Sequence, residues 1–491
     1  VVVGAGIGGL TAAALLAHRG YSVLVAEQAG VPGGCASTFK RRGFTFDVGA
    51  TQVAGLEAGG IHHRICRMLD IEPPAATPCD PACAVFLPGE GQPIQVWRDP
   101  ERWRQERQAQ FPDSEPFWQF LEHLFQVSWA FQTRDPVIPP RNLWDLWHTT
   151  QALRLETLTT LPFVFSTVSD ALRAYGLEGD HRLKRFLDLQ LKLYSQVDAD
   201  ETALLYAATA LNVSQSPRGL SHLHGSMQVL SEHLVHALER DGGQLLLRHP
   251  VHQIQVKNGR ATGVVIENRK TGESWVEPAD HVIANVTVQN LVQLLGENVP
   301  RGYAQRVEKL LPASGAFVIY LGVDATALPH PRPPHLQFLY DNDGPIGENN
   351  SLFVSVSQPG DGRAPEGKAT IIASSFTDPR RWAEPVGYEA LKQQYLETAI
   401  ARLSHYFHLT DRTIDYREAA TPRTFAQYTA RTQGIVGGIG QRVNTFGPFG
   451  FASRTPIKHL WLVGDSVHPG EGTAGVSYAA LTTVQQIMAQ S

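Results

Sequence analysis

The opening stretch "VVVGAGIGGL" restricts the fold of this chain more than any other segment. Val1, Val2 and Val3 form a β-branched run, Gly4, Gly6, Gly8 and Gly9 make a tight turn, and "LTAAALLAHRG" has the alanine and leucine content of a buried helix. Gly20 closes that helix, and "YSVLVAE" supplies a second strand ending on the acid Glu27. Strand, glycine turn, helix, strand and terminal acid together form a dinucleotide-binding fingerprint, in which Gly4 makes the turn, Gly6 admits the pyrophosphate and Gly9 lets the helix pack closely. The helix N-terminus presents unpaired N–H groups and the positive end of its dipole to phosphates. Glu27 can accept hydrogen bonds from a ribose diol, which disfavours a 2′-phosphate and leaves NAD or FAD. Three residues ahead of the turn are fewer than the usual strand of about five, so the natural chain is expected to begin upstream of Val1.

The far end repeats this logic. "IKHLWLVGDSVHPGEGTAGVSYAALTTVQQIMAQ" reads as a strand delivering Gly464 and Asp465, a glycine-punctuated loop, and a helix beginning near Gly475 with Val476. After Glu27, the doublet Gly33-Gly34 brings further backbone N–H groups to a long ligand. One βαβ unit suffices to clamp NAD, whereas two chain ends converging on one ligand suit FAD, whose ribityl and flavin extend further.

With 491 residues the chain exceeds one simple core, and two domains are expected. The fold expected is α/β, a Rossmann-type FAD-binding domain with an inserted α+β substrate domain. The discontinuous FAD-binding domain takes residues 1–85, 220–295 and 440–491, a helical aromatic-rich region takes 86–219, and an antiparallel-sheet substrate domain takes 296–439. In the helical region Trp118, Trp129, Trp144, Trp147, Phe163 and Phe165 stand at a density above the 9% aromatic mean. They suit an apolar ligand or a lipid interface, with ordinary core as the competing reading for each.

Composition closes off other functions. A net charge of -5 offers no basic excess for a nucleic-acid partner. Four cysteines (Cys35, Cys66, Cys79, Cys83) make no disulfide framework, and "CDPAC" lacks a second ligand pair, so no metal is expected. No run of 18 apolar residues predicts a membrane-spanning helix.

The segments "VVVGAGIGGL…E…PGG…FTFDVGA", "HPVHQI", "ATPRTFAQYTARTQGIVGG" (420–438) and "LWLVGDSVHPGEGTAGVSYAA" (460–480) resemble the carotenoid desaturase and isomerase branch of the FAD-dependent amine oxidase superfamily, over essentially the whole chain. Within that branch "GGCASTFKRRGFTFDVGATQVAGLEAGGIHHRI" is most similar to the carotenoid 3′,4′-desaturases of cyanobacteria, which act on the acyclic end of a monocyclic carotenoid on the way to myxoxanthophyll. It is less similar to the prolycopene cis-trans isomerases. Bacterial phytoene desaturases usually carry arginine after the Gly-Gly doublet. Here Cys35 stands in that place, which removes one pyrophosphate contact.

The resemblance implies that Gly4, Gly6, Gly9, Glu27, Gly33, Gly34, Val251, Gly464, Asp465, Gly475 and Val476 surround FAD, Val251 through its backbone at the adenine and Asp465 near the ribityl and pyrophosphate. Val251 as plain core and Asp465 as a plain helix cap are the competing readings. The implied chemistry is hydride transfer from an allylic carbon to flavin N5 followed by proton loss, which needs a dry slot and alignment more than a strong acid/base pair. His468 and Glu471 are candidates for the proton step, against a reading of both as surface loop residues. Reduced flavin would be reoxidised by a quinone or by oxygen. The carotenoid substrate would enter from a membrane surface through the aromatic helices of 115–165, which implies a peripheral or monotopic protein on the cytoplasmic side of a thylakoid or plasma membrane. An isomerase using reduced FAD, and a non-catalytic isoprenoid-binding protein resembling the Rab GDP-dissociation inhibitors, are the alternatives.

Overall fold

The computed structural model describes residues 1–215, 219–330, 332–384 and 386–490. Its cofactor half is built on a five-stranded parallel sheet ordered Leu460–Leu462, Val282–Ala284, Val2–Val3, Leu24–Glu27, Gln244–Leu247. These strands are short apolar runs because both faces are covered. On one face every residue of helix Ile7–Ala17 is buried, so the helix is apolar all round and not amphipathic. It shares its core with helices Gln228–Arg240 and Thr473–Met488 through Leu10, Leu15, Leu234, Leu481 and Val484. The opposite face carries an antiparallel three-stranded sheet, Val251–Lys257, Arg260–Glu267 and Ser274–Pro278.

The second half rests on a seven-stranded sheet ordered Ile414–Ala420, Gly315–Asp324, Lys368–Thr377, Ser351–Val356, His335–Leu339, Cys83–Phe86, Ile94–Val96. All its pairs are antiparallel except His335–Leu339 with Cys83–Phe86. This shifts the domain boundary expected at 85: residues 83–85 belong to the substrate-side sheet, pairing with the nearby Ile94–Val96 and joining the rest of the sheet through His335–Leu339, some 250 positions away. Strand Gly315–Asp324 is buried on both faces. Phe317, Ile319, Leu321 and Val323 point to a core completed by helix Tyr388–Leu403, while Ala316, Val318 and Tyr320 point toward Phe44 and Phe46 and the cofactor half.

Residues 100–214 form helices Pro100–Gln110, Glu115–Gln132, Leu143–Ala152, His181–Ser195 and Leu204–Ser214, with shorter turns. Their aromatics divide three ways. Trp103, Phe117, Trp118 and Phe186 fill a core, Trp129 lines the central cavity, and Trp147 and Phe165 are exposed.

Candidate active site

A cavity of about 890 Å³ runs between the two halves. One end is backbone. Gly4 (φ +92°) reverses the chain after the first strand, and its N–H donates to Ala26 O at 2.8 Å, which ties the turn to the second strand. A Cβ on Gly9 would stand 2.2 Å from Gly4 O, and one on Gly6 2.7 Å from Asn285 Nδ2. Gly6 therefore keeps the cradle open and Gly9 lets the helix close on the turn. Gly9 does not line the cavity; Gly4, Gly6, Glu27, Gly33, Gly34, Val251, Gly464, Asp465, Gly475 and Val476 do.

Two helices aim their N-termini at this space, Ile7–Ala17 behind Gly6 and Thr473–Met488 behind Gly472, and neither has a side-chain cap. The second starts two residues before the expected Gly475. Uncapped N-termini on one cavity, lined by glycine backbone, fit a bound diphosphate. Gly33 extends the cradle, its N–H donating to Ala5 O at 2.8 Å. Glu27 accepts from Ala5 N at 2.7 Å and from Ala29 N at 2.8 Å, so it braces the turn as well as facing the cavity. Burial raises its pKa, and those backbone N–H groups oppose the rise. The donor set, the length of the cavity and the acid at its far end fit FAD. Asp465 is an ion-pair partner of Arg431 and not a plain helix cap.

Beyond the cradle the walls become apolar: Trp129, Leu193, Tyr206, Val213, Phe353 and Phe446 line the remainder. Glu471 stands at this transition. Its Oε2 accepts from Gln196 Nε2 at 2.9 Å, and its Oε1 has no hydrogen-bond partner among the described residues. Loss of hydration pushes its pKa well above the ordinary range, Asp465 adds to the rise, and Gln196 and Arg431 oppose it. The carboxyl therefore holds its proton more tightly than a free glutamic acid does.

His468 is buried too, at 8% exposure, but does not line the cavity. Its Nε2 lies 2.7 Å from Gln132 Nε2, its ring packs on Phe446, and burial lowers its pKa to about 4. The reading of His468 and Glu471 as surface loop residues is thus corrected: Gln132, Phe446 and Gln196, distant in sequence, close over both. Sequence reasoning also missed three residues. Asn285 spans the first turn and the Gly464 turn, with Nδ2 donating to Gly4 O at 3.3 Å. Gln196 holds Glu471. Arg431 lies beside Cys35 and Asp465. The "IANV" end of a buried strand was the signal for Asn285; the other two carry none.

The sequence profile of the family described as "Flavin containing amine oxidoreductase" matches residues 7–488. The chain is 28% identical over 504 residues to prolycopene isomerase 1, chloroplastic, of an Oncidium hybrid cultivar, spanning 100% of this chain and 83% of that one. It is 26% identical over 501 residues to the phytoene desaturase (neurosporene-forming) of Cereibacter sphaeroides, spanning 97% and 92%. Among solved structures, cyclohexylamine oxidase from Brevibacterium oxydans superposes with a TM-score of 0.63 at 18% identity, over 99% of this chain and 98% of that one. An oxidoreductase from Methanosarcina mazei gives 0.65 at 17%, over 99% of each.

Proposed function

Because this chain belongs to the flavin-containing amine oxidoreductase family and is an FAD-dependent oxidoreductase, we propose that it is a carotenoid desaturase forming a C-3′,4′ double bond at the acyclic end of a 1′-hydroxylated carotenoid. FAD, when bound, supplies the two-electron chemistry. The observation that carries this reading is the joining of a backbone cradle to an apolar slot at one buried carboxyl, Glu471. The aromatic walls hold a polyene in line and exclude water, and Glu471 handles the proton at the reacting carbon.

The substrate reaches the slot from a membrane. Leu143 (85% exposed), Leu155 (85%) and Phe165 (70%) project from the helical region together with Trp147, and Phe165 packs on Phe449 at 5.3 Å. So many large apolar side chains on one short stretch exceed what a solvated surface usually carries. Among the described residues no helix is long and apolar enough to cross a membrane, which suits attachment to one leaflet.

A second reading, a carotenoid cis-trans isomerase, has its own support. Prolycopene isomerases from Oncidium, carrot and Arabidopsis are 26–28% identical to this chain, and the raised pKa of Glu471 suits proton donation. The deciding experiment supplies flavin-loaded protein with a 1′-hydroxylated monocyclic carotenoid in lipid vesicles with quinone, and separately with a cis carotenoid. A red-shifted product two hydrogens lighter is the expected result. A changed retention time at unchanged mass, from the cis substrate alone, overturns the desaturase reading in favour of the isomerase.

A further inference from the structure

We infer that Arg431 supplies, through space, the cation for the FAD pyrophosphate that the phytoene desaturases carry directly after the Gly-Gly doublet. The inference rests on FAD as cofactor and is independent of the carotenoid proposed above.

The argument begins with charge. A pyrophosphate placed on Gly6, Gly33 and Gly34 is a buried dianion met by neutral backbone donors, and burying an uncompensated charge costs several kcal/mol. Sequence position 35 offers a thiol. Among the described residues three arginines line the cavity: Arg64, Arg269 and Arg431. Arg64 is committed to Asp135 at 2.6 Å. Arg269 bonds the backbone and side chain of Gln28, next to Glu27 at the ribose end. Arg431 is also paired, with Asp465, but of the three it is the one beside Cys35, the residue that follows the doublet.

Its placement is built. Helix Pro422–Thr429 stops at Ala430, which takes a left-handed φ of +56°, unfavourable for a residue with a Cβ. That reversal turns Arg431 inward, where its side chain is 17% exposed. Nη2 makes both of its hydrogen bonds, to Gly437 O and Asp465 Oδ2, and Nε has no partner among the described residues. Cys35 lies beside the guanidinium. With Nη2 fully engaged by Gly437 and Asp465, the Nε–H remains as a single donor able to meet one phosphate oxygen. An arginine at position 35 would meet this guanidinium head-on, so the small thiol and Arg431 are two parts of one arrangement.

The test titrates apo protein with FAD by flavin fluorescence, and with ADP in competition, because ADP carries the diphosphate without the flavin. Arg431→Met is expected to weaken both FAD and ADP binding about 50-fold. Arg431→Lys should recover part of the loss by keeping the charge without the Nε–H donor. In the Arg431→Met background, Cys35→Arg is expected to restore most of the FAD affinity. Circular dichroism and melting of each apo variant confirm folding. Weakened FAD with unchanged ADP would place Arg431 at the ribityl or flavin and overturn the inference, as would failure of Cys35→Arg to rescue a folded protein.

Discussion

Gln196 Nε2 donates to Glu471 Oε2 over 2.9 Å, joining the end of helix His181–Ser195 to the C-terminal glycine loop. Gln196 adopts a left-handed φ of +68° while buried, and Lys192 Nζ fixes its carbonyl at 2.7 Å. Such a conformation in a residue with a Cβ persists only where the surroundings hold it. Here they hold a carboxyl at the edge of an apolar slot.

Glu471→Gln should lower turnover on the order of 100-fold while the protein becomes more stable. The sign follows from the raised pKa: above the unfolded value near 4.5 the unfolded chain releases a proton that the folded one retains, so folding weakens as pH rises toward the folded pKa. Glutamine lacks that titration. Melting of both proteins from pH 5 to 8 should show the variant's advantage widening with pH; a constant or shrinking gap would disprove the assignment.

The pH profile of turnover separates the two chemistries. As proton acceptor in desaturation, Glu471 must be ionised, so kcat rises with pH toward its raised pKa. As proton donor in isomerisation it must be protonated, so kcat falls as pH rises through its raised pKa. Asp465, Arg431 and Tyr206 all face this carboxyl and move its midpoint without reversing either slope. The same assay on Glu471→Gln should lose the slope.

Gly9→Ala is expected to lose FAD and stability together. The added methyl meets a backbone oxygen at 2.2 Å, which no side-chain rotation relieves. Prising the helix off the turn should cost about 1–3 kcal/mol. Flavin content after gel filtration and apo-protein melting check this.

Leu143→Ser, Leu155→Ser and Phe165→Ser combined should abolish co-sedimentation with lipid vesicles and leave flavin content and melting unchanged, because these side chains are 70–85% exposed and contribute little to the core. Turnover of a carotenoid dissolved in detergent should persist. Undiminished vesicle binding would remove this patch as the attachment surface.

Phe317 stacks on Trp382 at 5.6 Å and meets Tyr395 edge-on at 5.3 Å, on the sheet face turned away from the cavity. Phe317→Ala should cost about 3–5 kcal/mol in chemical denaturation with FAD affinity unchanged. Its neighbour Val318 lines the cavity. Val318→Phe should reduce turnover while leaving melting close to wild type.

What was legible in the sequence was local. The glycine turn, Glu27, the Gly33-Gly34 doublet and the Gly464-Asp465 loop each carry their geometry within a few residues, and the structure gathers them on one cavity. Arg431, Gln196 and Asn285 act through neighbours 34 to 281 positions away, so their contacts do not show in their own surroundings, although a buried strand end marks Asn285. The pairing that ties strand Cys83–Phe86 to the larger sheet, with His335–Leu339, is equally remote. The burial of His468 was hidden because a loop rich in glycine looks exposed until Gln132 and Phe446 are set over it.

The parallel sheet is completed by Leu460–Leu462, and helix Ile7–Ala17 gains a neighbour only when Thr473–Met488 folds against it. During synthesis, every strand of the seven-stranded sheet leaves the ribosome before either segment exists. At about 5–20 residues per second, the nascent protein holds a finished substrate half beside an open cofactor half for several seconds. The first glycine turn therefore stays uncovered until the last helix has been made, and the segments made last are the ones that close the cofactor cradle.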